Sequence, residues 1–149
     1  TMTNDSMMRR AIELATHAAQ IDEVPIGAVV VHDGEIVGEG YNTKEHGFNP
    51  TAHAEIIAIQ RAAQRLGRWR LHGCTLFVTL EPCPMCAGAI VSARMDKVVF
   101  GARDAKSGAC ESLYTITNDA RLNHRCEVEG GVLEEKCVAL LQSFFKMKR

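Results

Sequence analysis

The 149-residue chain has almost no net charge: 17 Lys and Arg stand against 18 Asp and Glu, leaving a formal charge of -1. Such a balance excludes a bulk polycation that grips nucleic acid by charge alone, so any role of that kind must rest on a local patch. Long apolar runs are missing too. No stretch approaches the roughly 18 apolar residues of a membrane span. The first apolar run, Ile12 to Ala19, is broken by Glu13, Thr16 and His17 and does not read as a signal peptide. Asp5 and Glu13 count against an organelle transit peptide, which would be poor in acids. A cytoplasmic protein with no membrane partner is expected. Repeats, low-complexity tracts and linkers are also lacking, so a single domain over residues 1–149 is expected, with Thr1 ahead of Met2 read as a cloning remnant.

What is present is an ordinary globular mix, 46% hydrophobic and 23% charged, in a chain long enough to hold a core without staples. The six cysteines are therefore not a disulfide scaffold. In a reducing compartment a Cys-x-x-Cys pair points to metal or redox chemistry.

Met8, Ile12, Ala15 and Ala19 recur at helical spacing, which predicts a helix over about Asp5 to Gln20. The run "IGAVVV", the Asp33-Gly34 turn and "EIVGEGYN" predict a hairpin. "TKEHGFNP" reads as a loop, and Thr51 can cap a helix from near Ala52 to about Leu66. "CTLFVTL" is a third strand, and Pro82 suits the first turn of a helix reaching about Ala93. "KVVFGA" is a fourth strand, and "RDAKSGACES" a loop leading into a short helix. A short strand near Cys126 to Val128 follows, then a last helix with Leu133, Cys137, Leu140, Leu141, Phe144 and Phe145 on one face. Strands alternating with helices after an antiparallel hairpin imply an α/β fold: a three-layer α-β-α sandwich around a mixed five-stranded sheet.

Two short motifs carry the chemistry. "PCPMC" places Cys83 and Cys86 three apart, and "TAHAE" places His53 and Glu55 two apart. Each sits at the start of a helix that follows a strand, read here as one parallel pair, where open α/β sheets place their sites. Spacing of three puts both thiols on one helix face. A helix N-terminus stabilises thiolate. With His53 as third ligand the set matches a catalytic zinc site, which keeps one position open for water. Zinc can bring the pKa of that water to roughly 7. Glu55 need not bind metal and can shuttle the water's proton. A lone Cys-x-x-Cys fits a redox pair or a structural zinc site equally well. A structural site would need a fourth ligand, with His72 or Cys74 nearest, and a redox pair would leave His-x-Glu unexplained. Cys74, Cys110, Cys126 and Cys137 read as small core or loop residues, and His17, His32 and His46 as surface residues.

His-x-Glu followed by Pro-Cys-x-x-Cys resembles the signature of the zinc-dependent cytidine deaminase superfamily. "EVPIGAVVV", "LGRWRLHGCTLFVTLEPCPMCAGAI", "VVFGARDAKSGA", "LNHRCEV" and "SFFKMKR" extend the resemblance over nearly the whole chain, to the bacterial tRNA adenosine deaminase family. The resemblance implies a cytidine deaminase-like fold and a homodimer. It also implies hydrolytic deamination of adenosine to inosine at the wobble position of a tRNA anticodon stem-loop, that of arginine tRNA. One zinc ion per chain would sit on His53, Cys83 and Cys86, hydroxide on it would attack C6, and Glu55 would move the protons. Asn42 would contact the base, although it also fits a turn. Arg103, Lys106, Lys146, Lys148 and Arg149 are candidate phosphate contacts, although each taken alone is more often a solvated charge. Phe145 or Phe144 could stack on an unpaired base. Asn123 and His124 could line the RNA groove or satisfy a turn.

The chain departs from the family pattern at Asn49, where Asp is usual, and at Glu111 and Tyr114, where Gly and Met are expected. Two other readings compete. A deaminase of a free base or nucleoside, guanine or cytosine, shares the zinc motifs. A zinc-stabilised RNA-binding module without catalysis would not need Glu55.

Overall fold

The computed structural model describes residues 3–148, so the expectations at Thr1 and Arg149 lie outside the described residues. The order of elements is α1 (Asn4–Gln20), β1 (Gly27–His32), β2 (Glu35–Tyr41), α2 (Ala54–Leu66), β3 (Cys74–Leu80), α3 (Pro84–Ser92), β4 (Lys97–Ala102), β5 (Glu127–Gly130) and α4 (Glu134–Met147). Thr3 caps α1 in a capping box with Ser6. The hairpin turn holds Asp33 and Gly34 at φ 51° and 76°, both left-handed, as a two-residue turn between twisted strands requires.

The sheet runs β2-β1-β3-β4-β5. β1 is antiparallel to β2 and to β3, while β3, β4 and β5 are parallel. Side chains alternate across it. Val30, Leu76, Val78, Val98 and Phe100 face α2 and α3, while Val29, Phe77 and Val99 face α1 and α4. Three layers result, as expected. Among the described residues no helix is long and apolar enough to cross a membrane.

Three details differ from the sequence reading. β2 and β3 are not a neighbouring pair: β1 lies between them, antiparallel to both. Their carboxyl ends still share one end of the sheet, so the placement of the motifs survives. The loop after β4 leads only into a single 3-10 turn, Ile116–Asn118. The helices α2 and α3 also start later than predicted. The cap of α2 is His53, while the Thr51 hydroxyl donates to Asn49 Oδ1. The cap of α3 is Cys83, and it is Pro84 rather than Pro82 that opens that helix. Proline suits a first helical position because its missing N–H has no intrahelical partner there.

Gly38 and Gly40 of β2 let α2 lie close. A Cβ on either would collide with the carbonyl oxygens of Ala58 or Ala54. That close approach fixes the start of α2 against the sheet.

Candidate metal centre and active site

The late helix starts matter. His53 and Cys83 are both N-caps in extended backbone, and neither side chain makes a capping hydrogen bond. An N-cap side chain ordinarily satisfies its own helix's N–H groups. Here both turn to each other instead. Cys86 joins them from the first turn of α3.

His53 Nδ1 lies 3.7 Å from Cys83 Sγ and 3.5 Å from Cys86 Sγ. The three ligand atoms lie within 4.8 Å of one another, and among the described residues this is the one such group. A tetrahedral centre with bonds of about 2.3 Å to sulfur and 2.0–2.1 Å to nitrogen needs S···N separations of about 3.6 Å. The residues fit a metal ion. His72 and Cys74 stand apart from the group: His72 faces Arg68 and Cys74 is buried in the core.

The electrostatics agree. A hydrogen bond from Cys86 and another from His53 pull the Cys83 thiol down to about 4. The Cys86 thiol, donating to Cys83 and buried, is pushed far up. His53 is raised by its bond to Cys83. The group concentrates protons between two sulfurs and a ring nitrogen, the place a divalent cation would take.

Glu55 sits two residues on, 4% exposed. Burial pushes its carboxyl up to about 7. It lines a cavity of about 210 Å³ together with Asn42, Lys44, His53, Leu80 and Cys83. That is smaller than the roughly 300–1,000 Å³ of sites that enclose drug-sized ligands. The cavity can therefore enclose one ring system while the rest of a larger substrate stays outside. Asn42 is 6% exposed, and its Oδ1 has no hydrogen-bond partner among the described residues. A buried amide oxygen without a partner is costly, so a ligand that donates to it gains affinity.

Two buried glutamates that the sequence reading passed over anchor the loops beside the cavity. Glu23 accepts from the N–H groups of Glu45 (3.1 Å) and His46 (2.7 Å) and from His46 Nδ1 (2.5 Å). It pins the loop between β2 and α2. Glu81 accepts from the N–H groups of Asp104, Cys110, Glu111 and Ser112, and from the Ser112 hydroxyl. It pins the loop after β4, which supplies Asp104 and Ser107 to the cavity. Gly108 permits this, since a Cβ there would strike the Glu81 carboxyl. The available signal was an acid closing each junction, "DEVPIG" and "LEPC", beside an otherwise apolar strand.

Burial alone would raise the Glu81 carboxyl, but the Ser112 hydroxyl and the backbone donors outweigh it and hold it below its ordinary 4.5. A depressed carboxyl contributes stability that is full above the unfolded pKa and lost as pH falls through the folded one. The Glu81 contribution is thus expected to fade below about pH 4.5. Glu81→Gln turns an NH₂ towards N–H donors in either flip. It is expected to cost roughly 2–4 kcal/mol, a fall in Tm on the order of 5–15 °C, with metal content unchanged. An unaltered melting curve would show that Glu81 does not hold the loop.

The remaining sequence candidates lie outside the cavity. Arg103 is held by Glu111 and by Glu134 of α4. Lys148 pairs with Asp22 and lies 5.5 Å from the Phe144 ring. Lys106 is exposed on the loop that Glu81 anchors, and Phe145 and Lys146 border a separate groove with Leu141 and Gln142. Asn123 is exposed, while His124 Nε2 lies 2.6 Å from the Met95 carbonyl oxygen.

A family profile for MafB19-like deaminases matches residues 2–149. The chain is 50% identical to a tRNA-specific adenosine deaminase of Bacillus subtilis (strain 168), over 99% of this chain and 92% of that protein. The chain belongs to the tRNA-specific adenosine deaminase family. A solved structure from studies of A-to-I editing by tRNA:A34 deaminases at the wobble position of transfer RNA superposes with a TM-score of 0.87 and 41% identity. It covers 91% of this chain and 98% of that chain. A guanine deaminase from Bacillus subtilis gives a TM-score of 0.67 and 42% identity, over 68% of this chain and 66% of that one. The protein is thus a deaminase; His53, Glu55 and Cys83 line the cavity, and Cys86 joins His53 and Cys83 in the three-residue group.

Proposed function

We propose that the protein converts the wobble adenosine of a tRNA anticodon to inosine by hydrolytic deamination. The observation that carries this reading is the pairing of an open three-residue metal group with a buried carboxylic acid at a cavity sized for one base. A structural metal site would take four ligands. A non-catalytic module would have no use for Glu55, whose burial is costly.

His53, Cys83 and Cys86 would hold zinc, which when bound supplies a water activated for attack near neutral pH. The base must leave its stack to reach the cavity. Asn42 receives a donor on the base edge and fixes its orientation. Water adds at C6, and the C6–N6 bond breaks to release ammonia. Glu55 takes one proton from the water and delivers it to N1, then takes the second from the new C6 hydroxyl and passes it to the departing N6, leaving a C6 carbonyl and an N1–H. A carboxyl held near 7 can do both near neutral pH.

Lys106, Asn123 and Phe145 are exposed and available to the rest of the RNA. Arg103 is already occupied by two carboxylates and braces the loop after β4 in the absence of RNA. The same reading extends to a cytoplasmic homodimer acting on arginine tRNA.

A free-purine deaminase remains the second reading, favoured by the guanine deaminase similarity and by the cavity's size. The test offers an anticodon stem-loop with a wobble adenosine alongside free guanine, adenine, adenosine, cytosine and cytidine. Inosine forming in the hairpin alone supports the proposal. Turnover of a free base or nucleoside with none in the hairpin overturns it.

A further inference from the structure

Phe48 is the most exposed large apolar side chain among the described residues, with 94% of its surface open. Its backbone is equally unusual. A φ of 48° places a bulky residue in the left-handed region, which glycine or asparagine fills at lower cost. Strain of this kind persists only where the surroundings impose it.

The surroundings do impose it. The Phe48 N–H donates to the Glu45 carbonyl (3.3 Å), that of Gly47 to Thr43 (2.9 Å) and that of Asn49 to Lys44 (3.1 Å). Buried Glu23 grips the same turn at Glu45 and His46. Asn49 Oδ1 accepts from Thr51 N–H and hydroxyl and closes the far side. A rigid loop therefore presents one aromatic ring to solvent at an energetic cost.

The loop's location suggests the use. It runs from Asn42, which lines the cavity, to His53 of the metal group, and Lys44 lines the cavity as well. Phe48 is one hydrogen-bonded turn from Lys44. An RNA that surrenders one base to the cavity leaves its neighbours outside, with their faces unstacked. An aromatic ring offers such a face a partner whatever the base. A lysine alongside meets the intervening phosphate.

We infer that Phe48 is a stacking platform for an unpaired base flanking the reacting nucleotide, with Lys44 as its phosphate contact. The inference rests on the RNA reading of the site. The flanking-base partner gives Phe48 a role in substrate binding, so its loss is read mainly in KM.

The test measures hairpin deamination by wild type, Phe48→Gly and Phe48→Tyr, on the intact hairpin and on hairpins abasic at either neighbour of the wobble position. Phe48→Gly relieves the left-handed strain and is expected to fold at least as stably as wild type. It should raise KM for the intact hairpin roughly 5- to 100-fold, with kcat within a factor of about two. Phe48→Tyr should restore wild-type KM. On one of the abasic hairpins wild type and Phe48→Gly should converge, because the stacking partner is gone. An unchanged KM in Phe48→Gly overturns the inference, as does a defect that persists equally on both abasic hairpins. A loss of dimer in sedimentation, with no dependence on the flanking base, would assign Phe48 to subunit contact instead. Wild type that edits no hairpin at all would point to failure of the RNA reading, a separate result.

Discussion

Glu55→Gln retains one metal ion per chain and loses turnover by on the order of a thousandfold or more. The substitution keeps shape and volume and removes only the ability to hold a proton. General acid–base catalysis by a positioned side chain is worth roughly 10²–10⁴, and here one carboxyl serves two transfers. The metal group is untouched, because His53, Cys83 and Cys86 make their approach without Glu55. Metal content by plasma mass spectrometry and inosine formation are the two readouts. Retained turnover would remove Glu55 from the mechanism. Lost metal would make it a ligand rather than a proton carrier.

Cys86→Ala is expected to lose both metal and stability. Cys86 is fully buried, and direct packing between α2 and α3 is sparse, so a metal ion joining His53 to the two cysteines would be the main tie between the helix starts. A ligand present at a thousand times its Kd stabilises by about 4 kcal/mol, worth on the order of 8–16 °C in Tm for a chain of this size. The chelator-stripped wild type should melt near the variant, and the variant should not respond to chelator. Unchanged zinc content in the variant would contradict the ligand assignment.

The meeting of His53, Cys83 and Cys86, with Glu55 close by, was legible in the sequence because its signals are local. His-x-Glu and Pro-Cys-x-x-Cys each mark a helix start after a strand, and parallel strand direction brings both starts to one end of the sheet. The cap assignment was not legible. Thr51 and Pro82 carry ordinary capping chemistry, but His53 and Cys83 take those places because the metal group claims their side chains. Glu23 and Glu81 were missed for another reason. A glutamate's value here lies in backbone N–H groups more than twenty residues away; an acid at a strand junction marks a candidate but does not say which loop it holds.

The partners of exposed charges were not legible in the sequence, since an ion pair depends on a distant residue. Arg103 meets Glu111 and Glu134, and Lys148 meets Asp22. The departure at Glu111 thereby has a physical consequence: it supplies a carboxylate to Arg103 that glycine would not. Asn49 does through its Oδ1 what an aspartate could do, accepting from Thr51. Nothing in the structure explains Tyr114, whose side chain is half exposed.

The most direct test of the central claim is to incubate the zinc-loaded protein with a wobble-adenosine stem-loop in ¹⁸O-labelled water. Mass spectrometry then locates the product and its oxygen, while ammonia is measured alongside. The account predicts inosine at the wobble position alone, one labelled oxygen at C6, one ammonia per inosine, and no product with Glu55→Gln. Unlabelled inosine, product at other adenosines, or an unmodified hairpin beside rapid deamination of free guanine would contradict it.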